Sequence, residues 1–92
     1  MALLEQDDID RRLSDLDGWE QDDKAITKEF DRGDFKGSVA FVNALLPAAE
    51  EMNHHPDLAI SWSTVTLTIS THSEGGLTEN DFQLAKRIDA LA

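Results

Sequence analysis

An α+β fold, with a four-stranded antiparallel sheet and three helices packed on one face, is what this 92-residue sequence predicts. Three observations lead there. Apolar residues recur at helical spacing in three separate segments. Between these segments, short runs alternate apolar and polar side chains with the period of a strand. The strand runs come in pairs set between helices, an arrangement that favours an antiparallel sheet with its helices on one side. The element order is therefore α-β-β-α-β-β-α.

The first helix is expected over Gln6 to Leu16, where Ile9, Leu13 and Leu16 share a face. Asp7 and Asp8 near its start oppose the positive end of the helix dipole. Gly18 ends it. Trp19 to Gln21 and Ala25 to Phe30 read as two short strands around an Asp22-Asp23-Lys24 turn, with Ile26 and Phe30 inward and the Lys28 stem beside them. Asp34 is a suitable N-cap for a longer helix from Phe35 to about Met52. Its apolar stripe contains Phe35, Val39, Val42, Leu45, Leu46, Ala49 and Met52. Pro47 falls inside it and cannot donate to the Asn43 carbonyl, which predicts a kink or local break.

Pro56 disfavours helical geometry at His55 and drives the chain out of the helix there. Leu58 to Trp62 and Val65 to Ser70 follow as strands, with Val65, Leu67 and Ile69 on one face and threonines on the other. Ser63-Thr64 is a weak turn signal between them, and a tight hairpin is preferred over one long bent strand. After a Gly75-Gly76 turn, Thr78-Glu79-Asn80-Asp81 resembles a capping box with Asp in place of Glu. It opens a final helix whose apolar side holds Phe82, Ala85, Ile88, Ala90 and Leu91.

Residues 1–92 make one domain, with a core only marginally stable without help from assembly. There is no cysteine, so disulfides, thiolate metal sites and a cysteine nucleophile are excluded. The start, Met1 to Glu5, turns acidic at once and lacks the apolar run of a signal peptide. No stretch approaches the length of a membrane span, and a cytoplasmic protein is expected. The net charge is −11. Such acidity argues against nucleic acid and anionic membranes as partners, and is read first as a source of solubility.

Chemistry concentrates on three histidines: the pair His54-His55, stopped by Pro56, and His72 just past the last strand. Histidine titrates nearest neutral pH, so a cluster suits proton transfer in both directions. Glu50 lies one turn before His54, and Asp81 follows His72 as a combined cap and candidate partner. Each residue also has a plainer reading. Asp81 can be a cap alone, His72 a surface group, and Trp62 core rather than pocket wall. Three histidines can also bind zinc, although an adjacent His-His pair seldom aims both rings at one ion.

Taken in order, Glu50-Glu51-Met52-Asn53-His54-His55-Pro56-Asp57, Trp62, Ser70-Thr71-His72, Gly76-Leu77-Thr78 and Asp81 resemble the pterin-4a-carbinolamine dehydratases. The resemblance covers nearly the whole chain, with Gly18-Trp19 and Asp34-Phe35 fitting the amino-terminal half. It implies dehydration of a 4a-hydroxytetrahydropterin, as in tetrahydrobiopterin recycling, without metal or organic cofactor. It also implies acid/base roles for His54 and His72 and a substrate-facing role for His55. Asp81, Pro56, Trp62, Glu50 and Thr71 become substrate-binding or orienting candidates. Family members dimerise by joining sheets, and some form tetramers through helices, so a homodimer is expected here. Two alternatives accompany the resemblance: a non-catalytic dimerisation or interaction module, and action on another pterin such as a molybdopterin-related compound. Leu58 and Ala59 are aliphatic where some relatives carry aromatics, which touches the pocket walls and not the matched polar residues.

Overall fold

A computed structural model describes residues 2–92. Its elements are α1 (Gln6–Ser14), β1 (Glu20–Asp22), β2 (Ala25–Asp31), α2 (Phe35–Met52), β3 (Asp57–Ser61), β4 (Thr64–Ile69) and α3 (Glu79–Asp89), with a short 3-10 turn at His72–Glu74. The order is the expected α-β-β-α-β-β-α. All three strand pairings are antiparallel, and the strands lie in the order β1-β2-β4-β3.

Register decides what each face of the sheet carries. Ile26 opposes Ile69, Phe30 opposes Val65, and Leu58 and Ile60 oppose Leu67 and Val65. These residues form the inward face, and Ile26, Val65, Leu67 and Ile69 are fully buried. The helices cover this face with Ile9 from α1, Phe41, Leu45 and Ala48 from α2, and Phe82, Leu84, Ala85 and Ile88 from α3. The opposite face carries Thr27, Thr66 and Thr68, with Thr27 Oγ1 3.3 Å from Thr68 Oγ1. Threonine suits such a surface, because its branched stem packs along the pleat while its hydroxyl stays polar.

Lys28 stands on the inward face as expected. Its stem runs past Phe30, and its ammonium reaches the backbone oxygen of Asp17 at 2.8 Å and Asp89 at 3.0 Å. Asp89 also accepts from Trp19 Nε1 at 3.0 Å, so the last residue of α3 is fastened to the first hairpin. Among the described residues no helix is long and apolar enough to cross a membrane.

Four details differ from expectation. Helix α1 stops at Ser14, and Leu16 reaches the core from the turn beyond it. Helix α2 runs unbroken through Pro47. Both Pro47 and Asn43 are solvent-exposed, so water can take the carbonyl that Pro47 cannot serve. Helix α2 ends at Met52 as expected, but the left-handed Asn53 ends it rather than Pro56. Finally, the β3–β4 hairpin closes on Ser61 opposite Thr64, which puts Trp62 and Ser63 in a two-residue turn. Trp62 has φ of 50° and is 69 % exposed, so it is neither strand nor core.

Leu67, wholly enclosed on the central strand β4, tests this core. Leu67→Ala is expected to lower unfolding free energy in urea by about 2–5 kcal/mol. Glu29→Ala, on the uncovered face, should stay within about 0.5 kcal/mol of the parent.

Candidate active site

The end of α2 presents the histidine pair. Asn53 adopts a left-handed conformation (φ 48°), a geometry that Asn tolerates better than most residues. Its N–H donates to the Glu50 carbonyl at 3.1 Å, and the His54 N–H donates to the Ala49 carbonyl at 3.0 Å. Together these bonds make a Schellman ending, which satisfies carbonyls the last turn would otherwise leave open. The chain leaves the helix with His54 turned inward, 9 % exposed, and His55 turned outward.

A second helix end meets the first. Asp81, the third residue of α3, is completely buried. Its Oδ2 accepts from the backbone N–H of Thr78 at 2.8 Å, the half of a capping box that the sequence predicts. The same oxygen accepts from the Thr71 hydroxyl at 2.9 Å. Thr71 Oγ1 and Thr78 Oγ1 are 2.8 Å apart. A hydroxyl has one proton, and that of Thr71 is given to Asp81, so Thr78 is the donor in this second bond. On the other side, Asp81 Oδ1 lies 2.5 Å from His54 Nε2. A carboxylate can only accept, so Nε2 carries the proton and Nδ1 is left with its lone pair. Nδ1 has no hydrogen-bond partner among the described residues, and it is not sealed from solvent.

His72 follows Thr71 directly, so the Thr71–Asp81 bond brings its loop to the same place. That loop is closed by the Thr71–Gly76 bridge, with the Thr71 N–H donating to the Gly76 carbonyl at 2.9 Å. Gly75 occupies a left-handed conformation (φ 73°) that lets the turn close within so few residues. His72 is exposed, and its Nε2 stands 3.9 Å from Asp57 Oδ2. Two contacts thus join the 54–57 segment to the 71–81 segment, one buried and one open to water. The open pair contributes little to stability.

Glu50 pairs with His55 rather than His54, an exposed contact five residues apart across the helix end. The Schellman turn explains the change of partner, since His54 rotates off the helix face that Glu50 occupies. Pro56 and His55 line an apolar cleft of about 330 Å³ together with Val42, Leu46, Ala49 and Leu58. Trp62 is not among its lining residues. Its backbone oxygen accepts from Ser38 Oγ at 2.8 Å. Two contributors had no assigned role in the sequence: Asp57 beside His72, and Thr78 behind Thr71. Asp57 was in view as the fourth residue of His-His-Pro-Asp. Thr78 was legible only as a helix cap. Among the described residues no group of three or more side chains is arranged to hold a metal ion.

The donor inventory has a direct spectroscopic consequence. In ¹⁵N-edited spectra of the neutral ring, His54 should be the tautomer protonated at Nε2. Asp81→Ala should abolish that preference. A dominant Nδ1–H tautomer in the parent protein would contradict the assigned hydrogen bonds.

Known proteins share this fold. The family described as pterin 4 alpha carbinolamine dehydratase matches residues 2–91. A curated protein from Sulfolobus acidocaldarius, provisionally named as a pterin-4-alpha-carbinolamine dehydratase, is 46 % identical over 88 residues, covering 96 % of this chain and 97 % of its own. One of the same provisional name from Thermosynechococcus vestitus is 48 % identical over 85 residues, covering 92 % and 90 %. A solved structure described as a transcriptional coactivator/pterin dehydratase from Brucella melitensis superposes with a TM-score of 0.94 at 34 % identity, over 99 % of both chains. Another, a pterin dehydratase-like protein identified as a RuBisCO assembly factor in the α-carboxysome, gives a TM-score of 0.64 at 28 % identity, over 80 % and 86 %. On matched length, identity and fold together, the chain belongs to the pterin-4-alpha-carbinolamine dehydratase family.

Proposed function

We propose that the protein dehydrates a 4a-hydroxytetrahydropterin by histidine acid/base catalysis, giving a quinonoid dihydropterin and water. The observation that carries this reading is the state of His54. Its Nε2 is committed to buried Asp81 while Nδ1 remains free, and the same Asp81 holds Thr71, the residue before His72. One proton goes to the departing 4a-hydroxyl as the C4a–O bond breaks. One leaves N5 as the C4a–N5 double bond forms, so the ring is neither oxidised nor reduced. Two imidazoles in opposite protonation states serve both transfers. His54 and His72 fill these roles, and His55, braced by Glu50, faces the pterin beside Pro56. Asp81 and Thr71 fix the His54 ring, and neither touches the reacting atoms. No metal or organic cofactor is required by this scheme.

A second reading has its own support. Helix α2 exposes Phe35, Val39 and Leu46, an apolar stripe suited to a protein partner. A binding module would use that stripe and not the histidines. Homodimerisation, implied by the family resemblance, is supported by the open outer edge of β3. A different pterin, such as a molybdopterin-related compound, is compatible with the same histidine chemistry.

Turnover of enzymatically generated 4a-hydroxytetrahydropterin decides among these. His54→Ala and His72→Ala should each lower kcat by about 10²–10⁴-fold, and the rate should fall on both sides of a near-neutral optimum. A wild-type rate no faster than the spontaneous reaction would sink the catalytic reading. A partner that co-purifies equally well with His54→Ala would favour the binding module.

A further inference from the structure

His72 is held differently from His54. Its ring has one long, exposed ionic contact, 3.9 Å to Asp57, which is too weak to fix it. The backbone of the loop that carries it therefore sets its position. That loop is tightly closed. The Gly75 N–H is shared between the Thr71 and His72 carbonyls at 3.0 and 3.1 Å, and the Glu74 N–H donates to the Thr71 carbonyl at 3.0 Å. With the Thr71–Gly76 bridge, these bonds tie residues 71–76 into one unit with two feet. One foot is Thr71, whose hydroxyl is bound to buried Asp81. The other is Gly76-Leu77.

The segment before α1 fastens this second foot. The Leu4 N–H donates to the Leu77 carbonyl at 2.9 Å. Leu77 is buried, and a carbonyl left unserved in such a place costs free energy. Beside this bond, Leu3 lies over Gly76: a β-carbon on Gly76 would stand 3.0 Å from Leu3 Cδ2. Unlike Gly75, Gly76 is not in the left-handed region, so torsion does not call for glycine there, whereas the close approach of Leu3 does. A segment outside regular structure is ordered only where contacts offset its backbone entropy, about 1–2 kcal/mol per residue. Leu4 also packs at the margin of the core. Leu3 is 52 % exposed, and both leucines border an open cleft of about 220 Å³ shared with Gln21 and Lys24. The segment is thus tied down at the His72 loop and left uncovered on its other side.

We propose that Leu3 and Leu4 form a strap that positions the His72 loop, so that turnover depends on a backbone hydrogen bond at the foot of the loop remote from Asp81. Both are positioning residues: they touch no reacting atom and act through Gly76 and Leu77. Proton transfer is sensitive to such a device, because a misplacement of about 1 Å can cost about 100-fold in rate. Only the effect on turnover rests on the dehydratase reading; the hold of the strap on the loop does not.

Amide exchange and turnover test the strap on the full-length chain. Leu4→Pro removes the N–H, whereas Leu4→Ala trims the side chain and keeps it, so the two variants together isolate the bond. Relative to Leu4→Ala, Leu4→Pro should speed exchange of the Thr71 and Gly75 amides about three- to tenfold, as expected for one ordinary hydrogen bond. Amides in β4 should keep their protection, and His54 should keep its Nε2–H tautomer. The kcat should fall about tenfold with little change in KM. A second route leaves the Leu4 N–H in place. Gly76→Ala pushes on Leu3 and should loosen the same amides, and adding Leu3→Ala should restore them. Equal loop exchange in the two Leu4 variants, or a Gly76→Ala effect indifferent to Leu3, overturns the proposal. So does exchange that rises equally in β4, because the segment would then support the whole fold. Loosened loop amides with unchanged kcat in an active enzyme also overturn it. If wild-type protein dehydrates no pterin, the functional reading fails, while amide exchange still decides whether the strap holds the loop.

Discussion

A buried carboxylate organises this molecule. Asp81 has no exposure to water, and an anion without solvent must be matched by donors or it destabilises the fold. Its donors come from three places: the Thr78 backbone at the start of α3, the Thr71 hydroxyl after β4, and His54 after α2. None of these is a neighbour of another along the chain except through the Thr71–Gly76 loop. Satisfying Asp81 therefore requires both helix ends and the strand end to arrive together. Removing such a partner typically costs about 3–5 kcal/mol, because a charge is left buried and unpaired. Stability and the position of His54 are consequently set by one group.

The same constraint divides the histidines. His54 is held in one orientation with one nitrogen occupied, a low-entropy arrangement suited to repeated proton transfer. His55 and His72 are exposed and paired only with surface carboxylates, Glu50 and Asp57. Those pairs are weak and exchangeable, so a ligand can displace them at little cost. The resemblance groups His54 with His72 for proton transfer and sets His55 apart; by burial and pairing, the division is instead one anchored ring, His54, and two exposed ones.

What the sequence disclosed follows from the range of the interactions involved. Helices, strand faces and the Thr78–Asp81 cap depend on residues a few positions apart, and their periodicity was legible. The inward set of Ile26, Phe30, Val65, Leu67 and Ile69 was readable for the same reason. Errors arose where a single backbone torsion redirected the chain. The left-handed Asn53 ends α2 before Pro56 can, and by turning His54 away it gives Glu50 to His55. The left-handed Trp62 shifts the hairpin turn by one residue, which moves an expected core or wall residue to the surface. Neither Asn nor Trp announces such a torsion by its neighbours. At Pro47 the expected break fails because the carbonyl left unserved faces water, a fact that depends on which side of α2 meets the sheet.

Small size bears on the open edge as well. A chain this short buries one face of its sheet with three helices and has nothing left to cover α2 or the outer side of β3. Were the exposed stripe incidental, charge would be the simplest way to keep it from sticking, and this chain uses charge freely elsewhere, including on its other sheet edge. Leaving Val39, Leu46 and Leu58 uncharged beside an unpaired strand is therefore a choice with a cost in solubility. The left-handed indole adds a conformational cost at the same edge. Leu46 and Leu58 of this stripe also line the cleft beside His55.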